Sequence, residues 1–373
     1  MNFSLYLSVK LIVLIRKLIL LTLLSVNILS AQKIWDSTYY VKYKSRLIVS
    51  PFFSYRNYNI EVEQYLIKDS LGKSKLNFIA QANTIFGLEL NYDKINFSFG
   101  FASIPPPNVK QTGKTDHFNI GLNVGGNKWI LETGYKRYQG FYNKNTPRYD
   151  SAYYKWDSLS TETDRRGIYT QFPHMVSTSY KMKFLYFTNN KRFSFKSGYS
   201  CSYRQIKSSF SWVITANGYY NTLNTDSSFF PKQVQPFYDT HANLRGLNVA
   251  AFSVYGGASF NLVLWRAFFM NLTFLAGPEE QWRTYKYTND TLNYNRTIFY
   301  NAVSGDIRGS VGLNFKRWYV SITGCTDFSY YKSGEMMFLS KYFSGAFSLG
   351  YRFKVKAPKI YQRFQQTKLY SYM

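Results

Sequence analysis

The sequence predicts an all-β fold, a twelve-stranded antiparallel up-and-down transmembrane β-barrel, with a range of ten to fourteen strands. Three observations favour this fold. Apolar and polar residues alternate with a period of two in many segments, the connections alternate between short turns and long loops, and 20% of the residues are aromatic. Such alternation is typical of strands with one apolar and one polar face. An alternation of short and long connections is typical of outer-membrane barrels, which have short periplasmic turns and long outer loops.

The beginning of the chain has the layout of a secretory signal peptide. An apolar run over residues 18–29 follows Arg16 and Lys17, and Ser30-Ala31 then offers small residues for cleavage. We therefore expect residues 1–31 to be the signal peptide. A short anchoring helix is the alternative. It is disfavoured because a spanning helix needs about 20 apolar residues and two basic residues interrupt this run.

Six strands are predicted in the first half of the remaining chain. They cover about 46–55, 76–92, 95–101, 115–124, 129–142 and 175–188. In the fourth strand, Phe118 and Ile120 alternate with asparagine and glycine, and Gly125-Gly126-Asn127 then supplies a tight turn. The second strand is expected to carry its apolar residues on one face: Phe78, Ala80, Ala82, Phe86, Leu88 and Leu90.

Six further strands complete the predicted barrel. They cover about 192–204, 247–262, 265–276, 303–315, 318–331 and 343–355. Strand seven depends on Phe193, Phe195 and Tyr199, which alternate with serine and lysine. Residues 205–245 are predicted to be the longest irregular stretch, in which 209–220 is a strand-like part that extends beyond the membrane.

The connections between these strands fall into two classes. Short turns fall at 93–94, 125–127, 189–191, 263–264 and 316–317, and long loops at about 56–75, 102–114, 140–173, 205–245, 277–302 and 332–342. Because the two classes alternate without exception, all long loops would lie at the outer end and both chain ends in the periplasm. We expect a single barrel domain over residues 32–355, followed by a basic C-terminal tail over residues 356–373.

Three tryptophans stand directly after predicted short turns. They are Trp129, Trp265 and Trp318. Tryptophan favours the membrane–water interface, so these residues are predicted to form a girdle at the periplasmic interface. Packing of the aromatic residues in a soluble core is the alternative.

The charge of the chain is strongly positive, at +26. Nucleic-acid binding is disfavoured because the chain is expected to be exported. The expected partners are outer-membrane lipid and lipopolysaccharide, the barrel-assembly machinery and an anionic solute. If the apolar strand faces meet lipid, seven cations point inward as candidate anion-binding residues of the lumen: Lys136, Lys181, Lys183, Lys196, Arg204, Arg308 and Arg352. An interior salt-bridge network that fills the barrel is the alternative.

The sequence offers little that indicates catalysis. No phosphate loop, zinc-type spacing or nucleotide-binding glycine pattern occurs, so no cofactor and no metal are expected. His174, followed by Ser177 and Ser179, is the one Ser–His arrangement of interest. Cys201 and Cys325 are predicted to be two unpaired buried thiols rather than a disulfide.

One stretch resembles a known family. Gly113-Lys114-Thr115, Phe118, Lys128-Trp129, Tyr138 and Gly140-Phe141-Tyr142 are similar to a motif of outer-membrane β-barrels of unknown function found in Bacteroidota, and the Ser-Ala-Gln signal end is similar too. The resemblance implies a barrel in a bacterial outer membrane and brings no activity or catalytic residues. Many outer-membrane barrels end on an aromatic strand terminus, whereas Phe353 here is followed by the basic tail.

Four predicted loops carry Asp-Ser or Asp-Thr followed by an aliphatic residue or alanine. The segments begin at Asp69, Asp150, Asp157 and Asp290. They resemble sites of O-glycosylation in Bacteroidota. Turn formation is the favoured alternative, because Asp and Ser bond their own backbone.

The leading functional hypothesis is a passive pore or solute-binding transporter with a basic lumen. A structural or surface-interaction barrel without transport activity is the alternative. An outer-membrane lipid-modifying enzyme is the third and least favoured hypothesis.

Overall fold

Twelve long strands close into an antiparallel barrel in the computed structural model, as predicted. The structure describes residues 35–43, 45–65, 73–105, 107–149, 167–230, 235, 242–288, 293–333 and 336–372. The predicted signal peptide and the segments that begin at Asp69, Asp150, Asp157 and Asp290 lie outside the described residues.

The wall strands are β2 Arg46–Tyr65, β3 Lys73–Tyr92, β4 Ile95–Ile104, β5 Asp116–Gly125, β6 Trp129–Asn143, β7 Thr170–Phe187, β9 Ser209–Asn224, β10 Leu244–Leu264, β11 Phe268–Thr288, β12 Asn293–Asn314, β13 Trp318–Ser333 and β14 Met336–Lys354. They run in the order β10-β11-β12-β13-β14-β2-β3-β4-β5-β6-β7-β9, and β9 pairs with β10 to close the barrel. Two short strands, β1 (Tyr40–Lys42) and β8 (Tyr203–Gln205), pair with each other. The described residues also contain five short helices: α1 Val109–Thr112, α2 Thr146–Tyr149, α3 Phe195–Tyr199, α4 Lys359–Gln365 and α5 Lys368–Tyr372.

The two ends of the barrel differ in their connections. Turns of two or three residues join strands at 93–94, 126–128, 265–267 and 315–317, and we call this the turn end. The opposite end is the loop end. Many strands continue through the predicted loops, so that β2 reaches Tyr65 and β11 reaches Thr288. The predicted alternation of short turns and long loops is therefore only partly correct.

Residues 192–204 do not form a wall strand, so the prediction for strand seven is wrong. They belong to a connection at the turn end, residues 188–208, that contains α3 and β8 and that we call the plug. Consecutive plug residues from Phe193 to Gly198 are all buried, because protein surrounds the segment on every side. Its period-two pattern thus does not mark a boundary between lipid and lumen. The wall strand at this place is β9, within the predicted irregular stretch.

Strand β3 changes sides at a bulge. Phe78 and Ala82 are buried in the interior, whereas Phe86 and Leu88 are exposed on the outside. The register against β2 shifts by one residue between Ser54 and Arg56, which moves every later side chain to the opposite face. The prediction that these apolar residues share one face is wrong.

The interior of the loop end is apolar. A continuous core contains Ile60 and Val62 of β2, Phe78 of β3, Met175 of β7 and many further side chains from the opposite wall. Phe78 reaches across to Phe172, with 5.4 Å between ring centroids. The strands here invert the pattern expected within a bilayer, because their outer faces meet water and their inner faces meet the core.

Exposed apolar side chains encircle the barrel nearer the turn end. Nearly every strand contributes: Phe53, Phe86, Phe97, Leu122, Met182, Ile214, Phe252, Phe274, Ile307, Ile322 and Phe347. Such a belt is typical of the lipid-facing surface of a membrane barrel. Among the described residues, no helix is long and apolar enough to cross a bilayer.

The C-terminal tail folds back onto the turn end. The hydroxyl of Tyr361 in α4 donates to Asp93 Oδ2 at 3.0 Å, and Tyr370 in α5 bonds the same carboxylate. Trp129 Nε1 donates to the carbonyl of Tyr372 at 3.1 Å. Burial and the adjacent Asp93 both raise the pKa of the Tyr361 phenol above its usual value. The tail is therefore fastened to the β3–β4 turn and to the start of β6.

Gly140 explains part of the motif near β6. It lies at a bulge with φ of +88°, and a side chain there would collide with the carbonyl oxygen of Lys114. The hydroxyl of Thr115 donates to the carbonyl of Gly140 at 3.0 Å. The bulge allows both Tyr138 and Phe141 to be buried.

Candidate functional site

A cavity of about 430 Å³ lies in the lumen between the plug and the apolar core. We call it the chamber. All twelve wall strands contribute to its lining, which is rich in serine, asparagine, tyrosine and charged side chains. Cys325 of β13 is part of this lining, and Tyr199 of the plug forms part of its floor. Both cysteines are free, as predicted, but only Cys201 is buried, whereas Cys325 is partly exposed.

The plug is hydrogen-bonded to both sides of the barrel. Asn261 of β10 donates to the carbonyl of Ser194 at 2.9 Å, and the Tyr199 hydroxyl donates to Thr273 of β11 at 3.1 Å. On the other side, Asn127 donates to the carbonyl of Phe193 at 2.6 Å. These bonds hold the plug across the lumen at the turn end.

The N-terminal segment adds a second connection to the plug. β1 pairs with β8, in the register Tyr40 to Gln205 and Lys42 to Tyr203. The rings of Tyr40 and Tyr203 stack with 6.0 Å between centroids. The segment that precedes the first wall strand therefore packs against the plug at the turn end.

A network of ion pairs crosses the lumen along the wall of the chamber. Arg308 of β12 makes two bonds of 2.9 Å to the carboxylate of Glu132 on the opposite strand β6, and it also contacts Asp306 at 2.8 Å. Asp306 in turn pairs with Lys183 of β7, and the side chains of both are 1% exposed. Lys181 pairs with Asp327 at 2.8 Å. Three cations and three carboxylates are therefore balanced across the chamber.

The seven predicted lumen cations fall into three groups. The first group is the ion-paired set of Lys181, Lys183 and Arg308. The second group bonds backbone carbonyls around the plug. Lys196 donates to Asp93 at 3.1 Å, Arg204 to Arg266 at 2.8 Å, and Arg352 to Phe315 and Cys201. Burial lowers the pKa of Lys196 to about 7, against the opposing effect of Asp93.

Lys136 alone forms the third group. Its Nζ lies 3.5 Å from the ring centroid of Tyr342, above the aromatic face. Within the described ranges it contacts no carboxylate. Among the described residues it therefore makes no direct ion pair, although Asp327 lies close enough to interact with it electrostatically.

Arg56 joins Lys136 on the chamber wall, and the sequence analysis missed it. It lay in a predicted loop, whereas β2 continues through it and turns its side chain inward, where the residue is 9% exposed. Arg56 Nη1 lies 3.1 Å from His117 Nε2. The alternation of Tyr58 and Ile60 with asparagines was the available signal. It was overlooked because the apolar face there points inward.

The three predicted interface tryptophans all lie at the turn end. Trp265 is 86% exposed in the turn between β10 and β11, and Trp318 is exposed at the start of β13. Trp129 begins β6 and bonds the tail. Trp212 of β9 is 61% exposed near the same end, and the sequence analysis had not included it. Their role as a girdle stays a prediction.

The residues considered for catalysis are not assembled into a site. The His174 side chain is largely exposed and lies 3.9 Å from Asp226, whereas Ser177 is buried in the interior. In the part of the chain that the structure describes, no three His, Cys, Asp or Glu side chains are grouped to hold a metal ion.

Several solved barrels are similar in fold to this chain. The toluene transporter TodX of Pseudomonas putida aligns with 8% identity over 83% of this chain and 90% of its own, with a TM-score of 0.27. An OmpT loop-deletion mutant of Vibrio cholerae aligns with 9% identity over 82% and 99%, with a TM-score of 0.28. Ail of Yersinia pestis aligns with 13% identity over 61% and 98%, with a TM-score of 0.23.

No curated protein matches the sequence. A family model described as a domain of unknown function, DUF4421, matches residues 35–353, which include every wall strand except the last residue of β14. The chain therefore belongs to the DUF4421 family.

Proposed function

We propose that this protein is an outer-membrane barrel that binds a small solute in the chamber and passes it by a gated route. The chamber between the plug and the apolar core carries the proposal. Its volume of about 430 Å³ suits a small molecule. A passive pore fits less well, because packed side chains lie on both sides of the chamber.

The apolar belt supports the membrane location. Phe252, Phe274 and Phe347 are each about half exposed, although phenylalanine is normally buried in a water-soluble protein. A bilayer would cover these side chains at the middle of the barrel. The exposed tryptophans near the turn end suit the membrane–water interface. We place the turn end in the periplasm by analogy with the connections of bacterial barrels.

A structural barrel without transport is the second candidate. The ion pairs that join Glu132 to Arg308 and Lys183 to Asp306 favour it, because they brace opposite walls. The same pairs also neutralise the mid-lumen. A basic, open lumen that attracts anions along its whole length is therefore not part of the proposal.

Access to Cys325 tests whether the plug gates the chamber. Cys201→Ser leaves Cys325 as the one thiol of the chain. A second variant replaces residues 190–206 with a Gly-Ser linker of equal length. A small methanethiosulfonate reagent should modify Cys325 about tenfold faster or more in the second variant, a ratio that corresponds to about 1.4 kcal/mol of opening free energy.

Planar-bilayer recordings complete the test. The plug-replaced barrel should show current steps, and the wild-type barrel should be closed for most of the recording. Lys207→Met, which changes an exposed plug residue, is the control for both measurements. If the replaced barrel folds and still shows neither faster labelling nor current, gating by the plug is refuted and the structural barrel is favoured.

A further inference from the structure

Six side chains from four strands form one cluster across part of the lumen. We call it the Arg56 cluster, and it contains Arg56 and Tyr58 of β2, His117 of β5, Lys136 and Tyr138 of β6, and Tyr342 of β14. The Tyr138 ring stacks on Tyr58 with 5.5 Å between centroids and lies 4.2 Å from the His117 ring. Tyr342 is the register partner of Tyr58 and lies beneath Lys136. All members except His117 line the chamber.

The hydrogen bond between Arg56 and His117 fixes the state of the imidazole. A guanidinium only donates hydrogen bonds, so Nε2 of His117 must accept the one from Arg56. The histidine is then neutral and carries its proton on Nδ1. It therefore cannot serve as a counter-ion to Arg56.

Two donors of the cluster have no partner among the described residues. They are Nε of Arg56 and the hydroxyl of Tyr138, and the two residues are 9% and 3% exposed. A buried donor without an acceptor costs about 1–3 kcal/mol. His117 interacts with the side chain of Asn119, and Oδ1 of Asn119 is the atom that can accept a hydrogen bond from Nδ1.

The cations of the cluster make no direct ion pair. Arg56 and Lys136 contribute two positive charges, and no carboxylate of the described residues forms an ion pair with either of them, although Asp327 acts on Lys136 from a greater distance. Elsewhere on the chamber wall, Lys181, Lys183 and Arg308 each contact a carboxylate. A buried cation without a counter-ion is costly, so an anion at this place would be bound favourably.

We propose that the Arg56 cluster is a subsite for the anionic group of a small organic solute, a carboxylate or a phosphate. The inference deepens the proposed function and depends on the chamber as a binding site. Arg56 binds the anion with its guanidinium, Lys136 supplies a second charge, and Tyr58 and Tyr138 pack against the attached apolar group. Glu89 and Glu279 also line the chamber, but they bond neutral side chains, Asn91 and Asn96 in one case and Tyr219 and Ser329 in the other. The anion is therefore expected at the Arg56 cluster, away from these two carboxylates.

Retention of three related probes tests the subsite. The full chain is refolded with benzoate, phenyl phosphate or benzyl alcohol present, so that the barrel closes around the probe, and bound probe is measured after equilibrium dialysis. The wild-type protein should bind at least one anion about tenfold or more tightly than benzyl alcohol, as expected for charge-assisted hydrogen bonds. The benzoate and phenyl phosphate arms distinguish a carboxylate from a phosphate.

Two substitutions at the site and one control make the test specific. Arg56→Gln and Lys136→Met should each reduce anion binding about tenfold and leave benzyl alcohol unchanged, whereas Lys356→Met, at an exposed position of the C-terminal tail, should change neither. A gel-mobility assay confirms folding, and Lys136→Met serves if Arg56→Gln does not fold. Equal binding of the three probes, retention of none of them, or unchanged anion binding in a folded site variant would overturn the subsite. The labelling of Cys325 decides separately on gating by the plug.

Discussion

At the scale of residues, the ion pairs of the lumen differ in burial and should therefore differ in importance. Asp306 and Lys183 are almost completely buried, whereas Lys181 and Asp327 are each about a quarter exposed. A buried charge that loses its partner has no water to replace it. The pair of Lys183 and Asp306 should thus contribute more to the free energy of unfolding of the barrel than the partly exposed pair of Lys181 and Asp327.

Asp306→Asn should lower the free energy of unfolding by about 3–5 kcal/mol, the usual cost of removing one partner of a buried pair. The substitution leaves Lys183 and part of Arg308 without their carboxylate. Asp327→Asn is the matched control, with an expected loss of about 1 kcal/mol because its pair is partly solvated. Urea unfolding in lipid vesicles gives both values. Equal losses would contradict the ranking by burial.

The sequence was sufficient to choose lumen cations but not their partners. Lys181 and Lys183 could be chosen because they alternate with apolar residues on one strand. Their partners Asp327 and Asp306 are 146 and 123 residues away along the chain. Strand pairing can be followed locally, whereas a contact across the lumen depends on the circumference and shear of the whole barrel.

At the scale of elements, the C-terminal tail is held by few but specific contacts. Two phenol groups, those of Tyr361 and Tyr370, converge on the carboxylate of Asp93. The ring of Tyr92 packs edge-to-face on Tyr361, with 5.0 Å between centroids. Most other residues of α4 and α5 are exposed or only partly buried, so they add little packing against the barrel. The hydroxyl groups should therefore decide whether the tail stays docked.

The double substitution Tyr361→Phe and Tyr370→Phe should release the tail without harm to the barrel. Each lost hydrogen bond to a charged acceptor costs about 1.5–3 kcal/mol, while both rings keep their packing. Limited trypsin digestion should then cleave at Arg363 several times faster than in the wild-type protein. Cleavage at the turn residue Arg317 provides an internal control, and an unchanged ratio of the two rates would argue against docking by the phenols.

The plug shows where pattern reading fails. Phe193, Phe195 and Tyr199 satisfy a period of two only because they are alternate apolar residues in a segment buried on all sides. By contrast, Phe210, Trp212 and Ile214 are exposed, alternate with the buried residues Ser211 and Val213, and form the true wall strand. A wall strand needs one face suited to lipid and another suited to the lumen. The plug segment has no face that contacts lipid.

At the scale of the whole molecule, the direction in which apolar side chains point reverses along the barrel axis. Near the turn end, phenylalanines such as Phe53 point outward and serines such as Ser54 point inward. Near the loop end, Ile60 and Val62 point inward instead. The twelve-stranded fold could be predicted because apolar side chains point outward over a long part of most wall strands. The apolar core could not, because inward-facing apolar residues alternate with the same period of two as outward-facing ones.

The closed barrel predicts resistance to detergent. Each wall strand is hydrogen-bonded on both sides, so no strand edge is open to attack. Unboiled protein in sodium dodecyl sulfate should therefore migrate differently from boiled protein on a gel. Identical migration, together with solubility of the folded protein without detergent, would refute the membrane assignment.

The plug is part of the covalent connection between β7 and β9, and this has a kinetic consequence. A displaced plug remains covalently attached to the end of β7 and to the start of β9. Its return is therefore an intramolecular event, at an effective concentration on the order of millimolar for a short flexible tether. A separate peptide with the sequence of the plug would need a similar concentration to compete with the attached plug for its position in the lumen. Open periods should accordingly be brief and independent of protein concentration.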